Sequence, residues 1–331
     1  MRLLVSGGAG YIGSVVAARL VGGGHEVTVL DNLCRGHEQA VPEGARLVRC
    51  DLLDREELER EVSDGGYDGV LHFAANSLVG ESVAEPELYY RNNVVGTLNL
   101  LEAMTSASVP RLVFSSTAAT YGEPEPERIP IREECPALPT NPYGATKLAV
   151  DRMISAVSEA RGLAATSLRY FNVAGSSADG CFGEDHEPET HIIPIALQTA
   201  AGLRERVEIY GTDYPTEDGT AVRDYIHVED LATAHLLALE AANPGEHRIY
   251  NLGNGSGFSV RQVIETAREV TGEKIPAVES PRRPGDPPVL VASSQRIREE
   301  LGWKPERPEL SAMISDAWNW MRSYPAGYEG K

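Results

Sequence analysis

Through residue 175 the chain alternates short apolar runs with stretches of helical periodicity. "RLLVSG" leads into "YIGSVVAARLVGGG", "EVTVLD" and "ARLVRCD" into "LLDREELEREV", "DGVLHFAA" into "YRNNVVGTLNLLEAM", and "RLVFSS" into "YGATKLAVDRMISAVSEA" before "ATSLRYFNV". Strands covered on both faces read as near-continuous apolar runs, and such runs alternating with helices are the pattern of successive βαβ units. The expectation is an α/β fold built on a doubly wound parallel sheet. Beyond residue 175 glycine, proline and acidic residues gather in "GSSADGCFGEDHEPE" and "YGTDYPTEDGT", which read as loops. Later helical patterns at "LATAHLLALEAA", "SVRQVIETAREV" and "ELSAMISDAWNWM" are interrupted by "SPRRPGDPP". Residues 1–175 are therefore expected to hold the sheet, and 176–331 a smaller mixed α/β lobe with some segments returning to it. Ligands of open parallel sheets sit beyond the carboxyl ends of the strands, where that lobe would close.

Bulk properties narrow the partners. A formal net charge of −19 over 331 residues repels polyanions across most of the surface, which argues against nucleic acid and against an anionic membrane. Cys34, Cys50, Cys135 and Cys181 form no C-x-x-C pair and read as reduced, individually buried thiols, and no run is long enough to cross a bilayer. "MRLLVSGGAG" leaves no room for a secretory leader, so a cytoplasmic location is expected. His186 and His191 stand in an acidic loop, but their spacing matches no strong ligand motif, and no metal is expected.

"VSGGAGYIG" places Gly7, Gly8, Gly10 and Gly13 between the first expected strand and helix. Glycines there permit a tight turn, let a pyrophosphate approach the backbone and bring the helix against the sheet, while the helix N-terminus offers unpaired N–H groups. The second expected strand ends in Asp31, 18 residues past Gly13 and near the roughly 20 expected for an acid that binds an adenosine ribose. A carboxylate at that place repels a 2′-phosphate and favours NAD over NADP. Arg35 nearby reads as a loop arginine that weakens this only slightly.

A second constellation lies in "NPYGATK". Only four of the 30 basic residues are lysines, yet Lys147 falls one helical turn after Tyr143 and shares its face. A phenol is a poor base near neutrality, and a neighbouring ammonium favours the phenolate. The strand "RLVFSST" ends in Ser115, Ser116 and Thr117, where a hydroxyl can bond a substrate oxygen during proton transfer.

With the glycine turn, Asp31, "SST" and Y-x-x-x-K on the page, the chain resembles the extended short-chain dehydrogenase/reductase family over nearly its whole length, from "GGAGYIG" to "RRPGD". The resemblance implies a Rossmann sheet, with Tyr143 as acid/base, Lys147 as its electrostatic support and Thr117 as hydroxyl partner. "IYGTDYPTEDGTAVRDYIHVEDLA" and "SPRRPGD" are similar to the branch that interconverts UDP-galactose and UDP-glucose through transient oxidation at C4 by a retained NAD. That likeness implies cofactor contacts from Gly7, Gly10, Tyr11, Ile12, Gly13, Asp31, Asn32, Leu33, Arg35 and Gly36. Further along it implies Asp51 and Leu52 at adenine, Phe73 to Ala75 beside the cofactor, Asn92 near it, and Ser115, Tyr143, Lys147 and Phe171. For a UDP-sugar it implies Thr117 and Tyr143 at the sugar and Asn172 at the diphosphate. It also implies His191 and Ile192 lining the nucleotide, Tyr210 near uracil, Asp286 at the uridine ribose, Arg223 and Arg283 at the phosphates, and Leu290 in the sugar pocket. The family implies a homodimer.

The sequence departs from the pattern twice. Ser77 stands where many relatives carry a lysine after "HFA", and Leu290 at the sugar pocket leaves tolerance of N-acetylated sugars open. A 4,6-dehydratase would follow Thr117 with Asp-Glu, but Ala118 and Ala119 stand there. An epimerase of UDP-pentoses or UDP-uronic acids remains an alternative. A non-enzymatic dinucleotide sensor would have no use for Thr117, Tyr143 and Lys147 together.

Overall fold

The computed structural model describes residues 1–283 and 286–328, so Pro284 and Gly285 of the "RRPGD" motif lie outside the described residues. Strands β1 (Arg2–Ser6), β2 (Glu26–Asp31), β3 (Arg46–Arg49), β4 (Gly69–His72), β5 (Arg111–Thr117) and β6 (Ala164–Tyr170) alternate with helices, as the apolar runs predict. The second half adds short strands β7 (Asn172–Ala174), β8 (Val207–Tyr210), β9 (Val222–Arg223) and β10 (Tyr225–His227). It continues with β11 (His247–Leu252), β12 (Phe258–Ser259), β13 (Ala277–Ser280) and β14 (Val289–Leu290). The main sheet has seven strands in the order β11-β6-β5-β4-β1-β2-β3, and every neighbouring pair is parallel. This is a Rossmann-type sheet whose order reverses between β1 and β4.

The helices are α1 (Tyr11–Gly22), α2 (Arg55–Gly65), α3 (Val79–Ala84), α4 (Pro86–Tyr89), α5 (Gly96–Ser106) and α6 (Pro142–Arg161) in the first half. They are followed by α7 (Ile192–Ala200), α8 (Val228–Glu240), α9 (Val260–Thr271), α10 (Gln295–Leu301) and α11 (Leu310–Ser323). On one face of the sheet α1 and α8 bury Val15, Val16, Leu20, Leu231 and Ala234. On the other, α2, α5 and α6 bury Leu58, Val62, Leu100, Val150 and Ile154. A third core, with Ile193, Leu197, Val263, Ile264, Met313 and Ile314, belongs to the C-terminal half. There α9 starts with Ser259 and Gln262 exchanging side-chain and backbone bonds as a capping box.

Residues 228–252 thus supply a covering helix and an edge strand to the sheet that residues 1–175 begin. Of the four cysteines expected to be buried, Cys50 and Cys135 are, whereas Cys34 and Cys181 stand exposed in loops. Two stretches differ from their simple reading. "ATSLRYFNV" is not one strand: β6 ends at Tyr170, and β7 leaves the sheet to pair with β10, with the Asn172 N–H donating to the Asp224 carbonyl at 3.1 Å. "YRNNVVGTLNLLEAM" is not one regular helix, because Tyr90–Val95 winds as a π-helical turn ahead of α5. The wider turn aims Asn93 at the loop after β4, where its side chain accepts from the Asn76 N–H at 2.8 Å and donates to the Asn76 carbonyl at 3.0 Å. Such turns recur at functional sites.

The first βα junction has the least room. Gly7 has φ +74°, and a Cβ there would meet the Ala74 nitrogen at 2.4 Å. A Cβ on Gly13 would meet the Gly7 carbonyl oxygen at 2.2 Å and the Gly8 Cα at 2.8 Å. Backbone stands on both sides, so no side chain can swing aside. Gly13→Ala should lose about 1–3 kcal/mol through this overpacking. Gly22→Ala, whose Cβ would meet nothing within 4 Å, should hold its stability. Guanidinium unfolding of both variants checks this, and an unchanged midpoint for Gly13→Ala would refute the close-approach argument.

Candidate active site

The carboxyl ends of β1, β4, β5 and β6 open into a cavity of about 520 Å³ that a second of about 460 Å³ adjoins through Asn172, Val173, His191, Arg223 and Asp286. At the first wall, α1 starts from Gly10, and the first-turn N–H groups have no partner within their helix. Gly7, Gly10, Tyr11, Ile12 and Gly13 line the cavity. The Tyr11 hydroxyl donates to the Gly175 carbonyl at 2.6 Å and ties the turn to the far side. Asp31 is buried at the end of β2, where its carboxylate accepts from the Ala9 N–H at 3.1 Å and the Leu33 N–H at 2.9 Å. Burial raises its pKa, and the two N–H bonds oppose that rise. Each oxygen keeps a lone pair for a ribose hydroxyl.

Asn32 donates to Asp51 at 2.8 Å, and both line the cavity with Leu52, Arg35 and Gly36. Arg35 is not a free loop arginine: it donates to the Glu187 carbonyl at 2.6 Å and pairs with Glu81 at 3.1 Å. Leu33 alone among the expected cofactor residues does not line the cavity. Its backbone turns with φ 59°, and its side chain packs on the α1/α8 core. Phe73, Ala74, Ala75 and Asn92 line the middle, with Ser115, Tyr143, Lys147 and Phe171 beyond them.

The Tyr-Lys pair stands on the first two turns of α6. Asn141 caps that helix by accepting from the Gly144 N–H at 2.9 Å, and Pro142 suits the first helical position. Lys147 is buried and donates to the Ser115 carbonyl at 2.8 Å; its ammonium lies 4.7 Å from the Phe114 ring centre and 6.0 Å from that of Tyr143. Burial lowers its pKa to about 7, opposed by Asp151 one turn on. Asp151 is itself held by Arg169 at 2.8 Å and Ser116 at 3.2 Å.

Thr117 is the polar neighbour of the Tyr143 phenol. The phenol does not follow the simple electrostatic expectation: burial raises its pKa, and Thr117 rather than Lys147 opposes the rise. Desolvation penalises both charged forms at once, so the ammonium does not by itself bring the phenol down. The Ser115 hydroxyl is taken up by Tyr170.

The second cavity is lined by Ile192, Tyr210 and Arg283, and shares Asn172, His191, Arg223 and Asp286 with the first, which Leu290 also lines. Arg283 lies 4.0 Å over the Tyr210 ring. Arg223 pairs with Asp286 and donates to the Val222 carbonyl at 2.7 Å, so an anion would enter beside an existing ion pair. Sequence reasoning missed Asn93, Tyr170 and Glu184, and weighed His186 only as a metal ligand, which its spacing argued against. The neighbouring Asn92 was the only pointer to Asn93; Tyr170 belonged to an expected strand. Glu184, His186, Glu189 and His191 bring ligating atoms within 4.8 Å of one another, which irregular spacing concealed.

Residues 3–253 match the model of the NAD dependent epimerase/dehydratase family. The chain belongs to this family. A UDP-glucose 4-epimerase of Corynebacterium glutamicum is 57% identical over 96% of this chain and 95% of its own. A crystal structure of a UDP-glucose 4-epimerase superposes with a TM-score of 0.95 at 49% identity, covering 99% of both chains. One from Bifidobacterium longum, in complex with NAD+ and UDP, does so at 0.93 and 37% identity, over 99% of this chain and 100% of that one.

Within the family's glycine turn, Gly10 differs from Gly7 and Gly13. A Cβ on Gly10 would meet only the Gly7 carbonyl oxygen, at 3.4 Å, an ordinary contact. The fold does not require glycine there, whereas a ligand passing close to the backbone would. Gly10→Ala should keep the wild-type unfolding midpoint and purify with much less bound dinucleotide. Full cofactor content in the variant would show that the pyrophosphate does not pass this point.

Proposed function

We propose that the protein interconverts UDP-galactose and UDP-glucose with NAD held in the first cavity and the nucleotide of the substrate in the second. The observation that carries the reading is that Thr117, Tyr143 and Lys147 line one cavity together with the glycine turn and Arg223, and that Arg223 also lines the adjoining second cavity. Identity of 57% to a UDP-glucose 4-epimerase over nearly the full chain, and the fold shared with one solved with NAD+ and UDP, support it.

In this reading the N-terminus of α1 with Gly7, Gly10 and Gly13 holds the pyrophosphate, and Asp31 the adenosine ribose. Asn32, Asp51 and Leu52 bound adenine, and Lys147 reaches the nicotinamide ribose. When bound, NAD would supply the acceptor that takes the hydride from C4 of the sugar and gives it back. Tyr143 takes the C4 hydroxyl proton as the hydride leaves and returns it when the hydride arrives on the other face. Thr117, beside that phenol, orients the same hydroxyl. Arg223 and Arg283 neutralise the diphosphate, with Asn172 beside it, while His191 and Ile192 line the nucleotide. Tyr210 offers a ring for uracil, Asp286 a carboxylate for the uridine ribose, and Leu290 bounds the sugar.

A cytoplasmic homodimer completes the proposal. It is supported by exposed Val79, Val83, Leu88, Tyr90, Val95 and Leu98 on adjoining helices, and no described helix is long and apolar enough to cross a membrane.

Tyr143→Phe should lose most turnover while retaining UDP affinity, because the nucleotide contacts lie in the other cavity. Lys147→Ala should also be slow, because the nicotinamide ribose would lose its hydrogen bond and the hydride acceptor its place beside the phenol. The assay follows sugar product and reduced cofactor together. Product without accumulated NADH supports epimerisation; NADH matching sugar consumed, or a 4-keto-6-deoxy product, overturns it. Replacing Arg223 or Arg283 by Ala should weaken UDP binding by about 2–5 kcal/mol, as for loss of one partner of a desolvated charge pair. Calorimetry with unchanged UDP affinity would remove them from the diphosphate site.

A further inference from the structure

The loop ahead of α7 carries four donors in the order Glu184, His186, Glu189, His191, within the run "EDHEPETH". Both imidazoles present the same ring nitrogen to both carboxylates. His191 Nδ1 stands 2.6 Å from Glu184 Oε1 and 3.5 Å from Glu189 Oε1, while His186 Nδ1 stands 3.2 Å from Glu184 Oε1 and 3.9 Å from Glu189 Oε2. One ligating atom from each of the four lies within 4.8 Å of every other. Zinc bonds of about 2.0–2.2 Å to nitrogen and oxygen give a tetrahedron with edges of about 3.3–3.6 Å. The four His–Glu separations bracket that length.

We infer that Glu184, His186, Glu189 and His191 form a closed, four-coordinate site for a divalent transition ion of the zinc class. The charge balance agrees. The Glu184 and Glu189 side chains are only 8% and 3% exposed, and two buried carboxylates with two neutral imidazoles neutralise one dication. Glu189 is oriented before any ion arrives: its Oε1 accepts from the Thr190 N–H at 2.6 Å and the His191 N–H at 2.7 Å, an outer layer of the kind that steadies a metal ligand. Four protein donors leave no open position for a reacting water, so the ion is structural. Its effect falls on the wall of the active-site cavities, where Glu184, His186 and His191 line the first and His191 also the second. The same loop is tethered to the glycine-turn side by His37 to the Asp185 carbonyl at 3.2 Å and by Arg35 to the Glu187 carbonyl at 2.6 Å. An ion there would staple this wall irrespective of which sugar the enzyme turns over.

The test uses the full chain, stripped with a chelator, desalted and then titrated with zinc against a chromophoric chelator, with metal content read by mass spectrometry. The stripped wild type should take up one zinc per chain at micromolar zinc, and its melting temperature should rise with zinc but not with magnesium. Cobalt in its place should give the intense visible bands of four-coordination. Loss of an outer partner alone costs about 10–100-fold in metal affinity, so His186→Ala should lose at least that much. Glu187→Gln, on an exposed neighbour, should keep it. Where His186→Ala fails to fold by circular dichroism, an anomalous-scattering map of zinc-loaded wild-type crystals decides, with a peak expected between the four side chains. No uptake by stripped wild type, a six-coordinate cobalt spectrum, uptake unaffected by His186→Ala, or zinc located elsewhere would each overturn the inference.

Discussion

The Gly7 carbonyl and the Gly13 Cα stand so close that no Cβ fits between them, and much of the molecule is arranged around that contact. It sets α1 against the sheet at the edge where the strand order reverses, so that the helix's unpaired N–H groups face the cavity. Asp31 then reaches across from β2 to the Ala9 N–H, joining the carboxylate proposed for the ribose to the turn. Ala74 is pressed onto Gly7 from β4's side, which fixes where the next cavity wall begins. One steric constraint between two backbone atoms thus locates the three surfaces along which a dinucleotide would lie.

The proton-transfer centre rests on a different balance. Lys147 is buried at a cost in pKa, and the opposing charge comes from Asp151, which Arg169 and Ser116 hold in the interior. Arg169 on β6 and Asp151 on α6 are in contact, and the Lys147 ammonium, bonded to the Ser115 carbonyl on β5, stands one turn from that carboxylate and feels its charge, so the three form one buried set. Removing one member of such a set leaves an uncompensated charge, which is more costly than the pair is stabilising. Tyr143 stands outside this set: burial raises its pKa and Thr117 opposes the rise, so its basicity also answers to what enters the cavity.

The parallel sheet was legible because strands covered on both faces leave long apolar runs, and the glycine turn because backbone crowding admits only one residue type at Gly7 and Gly13. Tyr143 and Lys147 were legible because helical spacing puts them on one face. Features made by tertiary approach were not. The turn at Tyr90–Val95 has the same residue types as an ordinary helix, and only contact with Asn76 shows its use. Arg35 and Arg223 read as available cations, but Glu81 and Asp286, remote in sequence, already engage them. The downward pull expected of Lys147 on the Tyr143 phenol failed because burial acts on both groups and spacing carries no information about solvent. The four donors from Glu184 to His191 were passed over because a loop has no period by which spacing reports direction.

The face of the sheet under α1 is completed late. α8 lies beside α1, β11 adds the last strand, and Trp303 and Ile297 enter the same core, with the Trp303 indole N–H bonded to the Asp230 carbonyl at 2.9 Å. During synthesis the glycine turn, the tyrosine and the lysine have all left the ribosome while half of one sheet face still lacks its cover. The nascent chain must carry an exposed apolar surface until more than a hundred further residues have been added. Acquisition of the cofactor site and completion of the core are consequently separate events in the life of each molecule, and the interval between them is when a chaperone has most to bind.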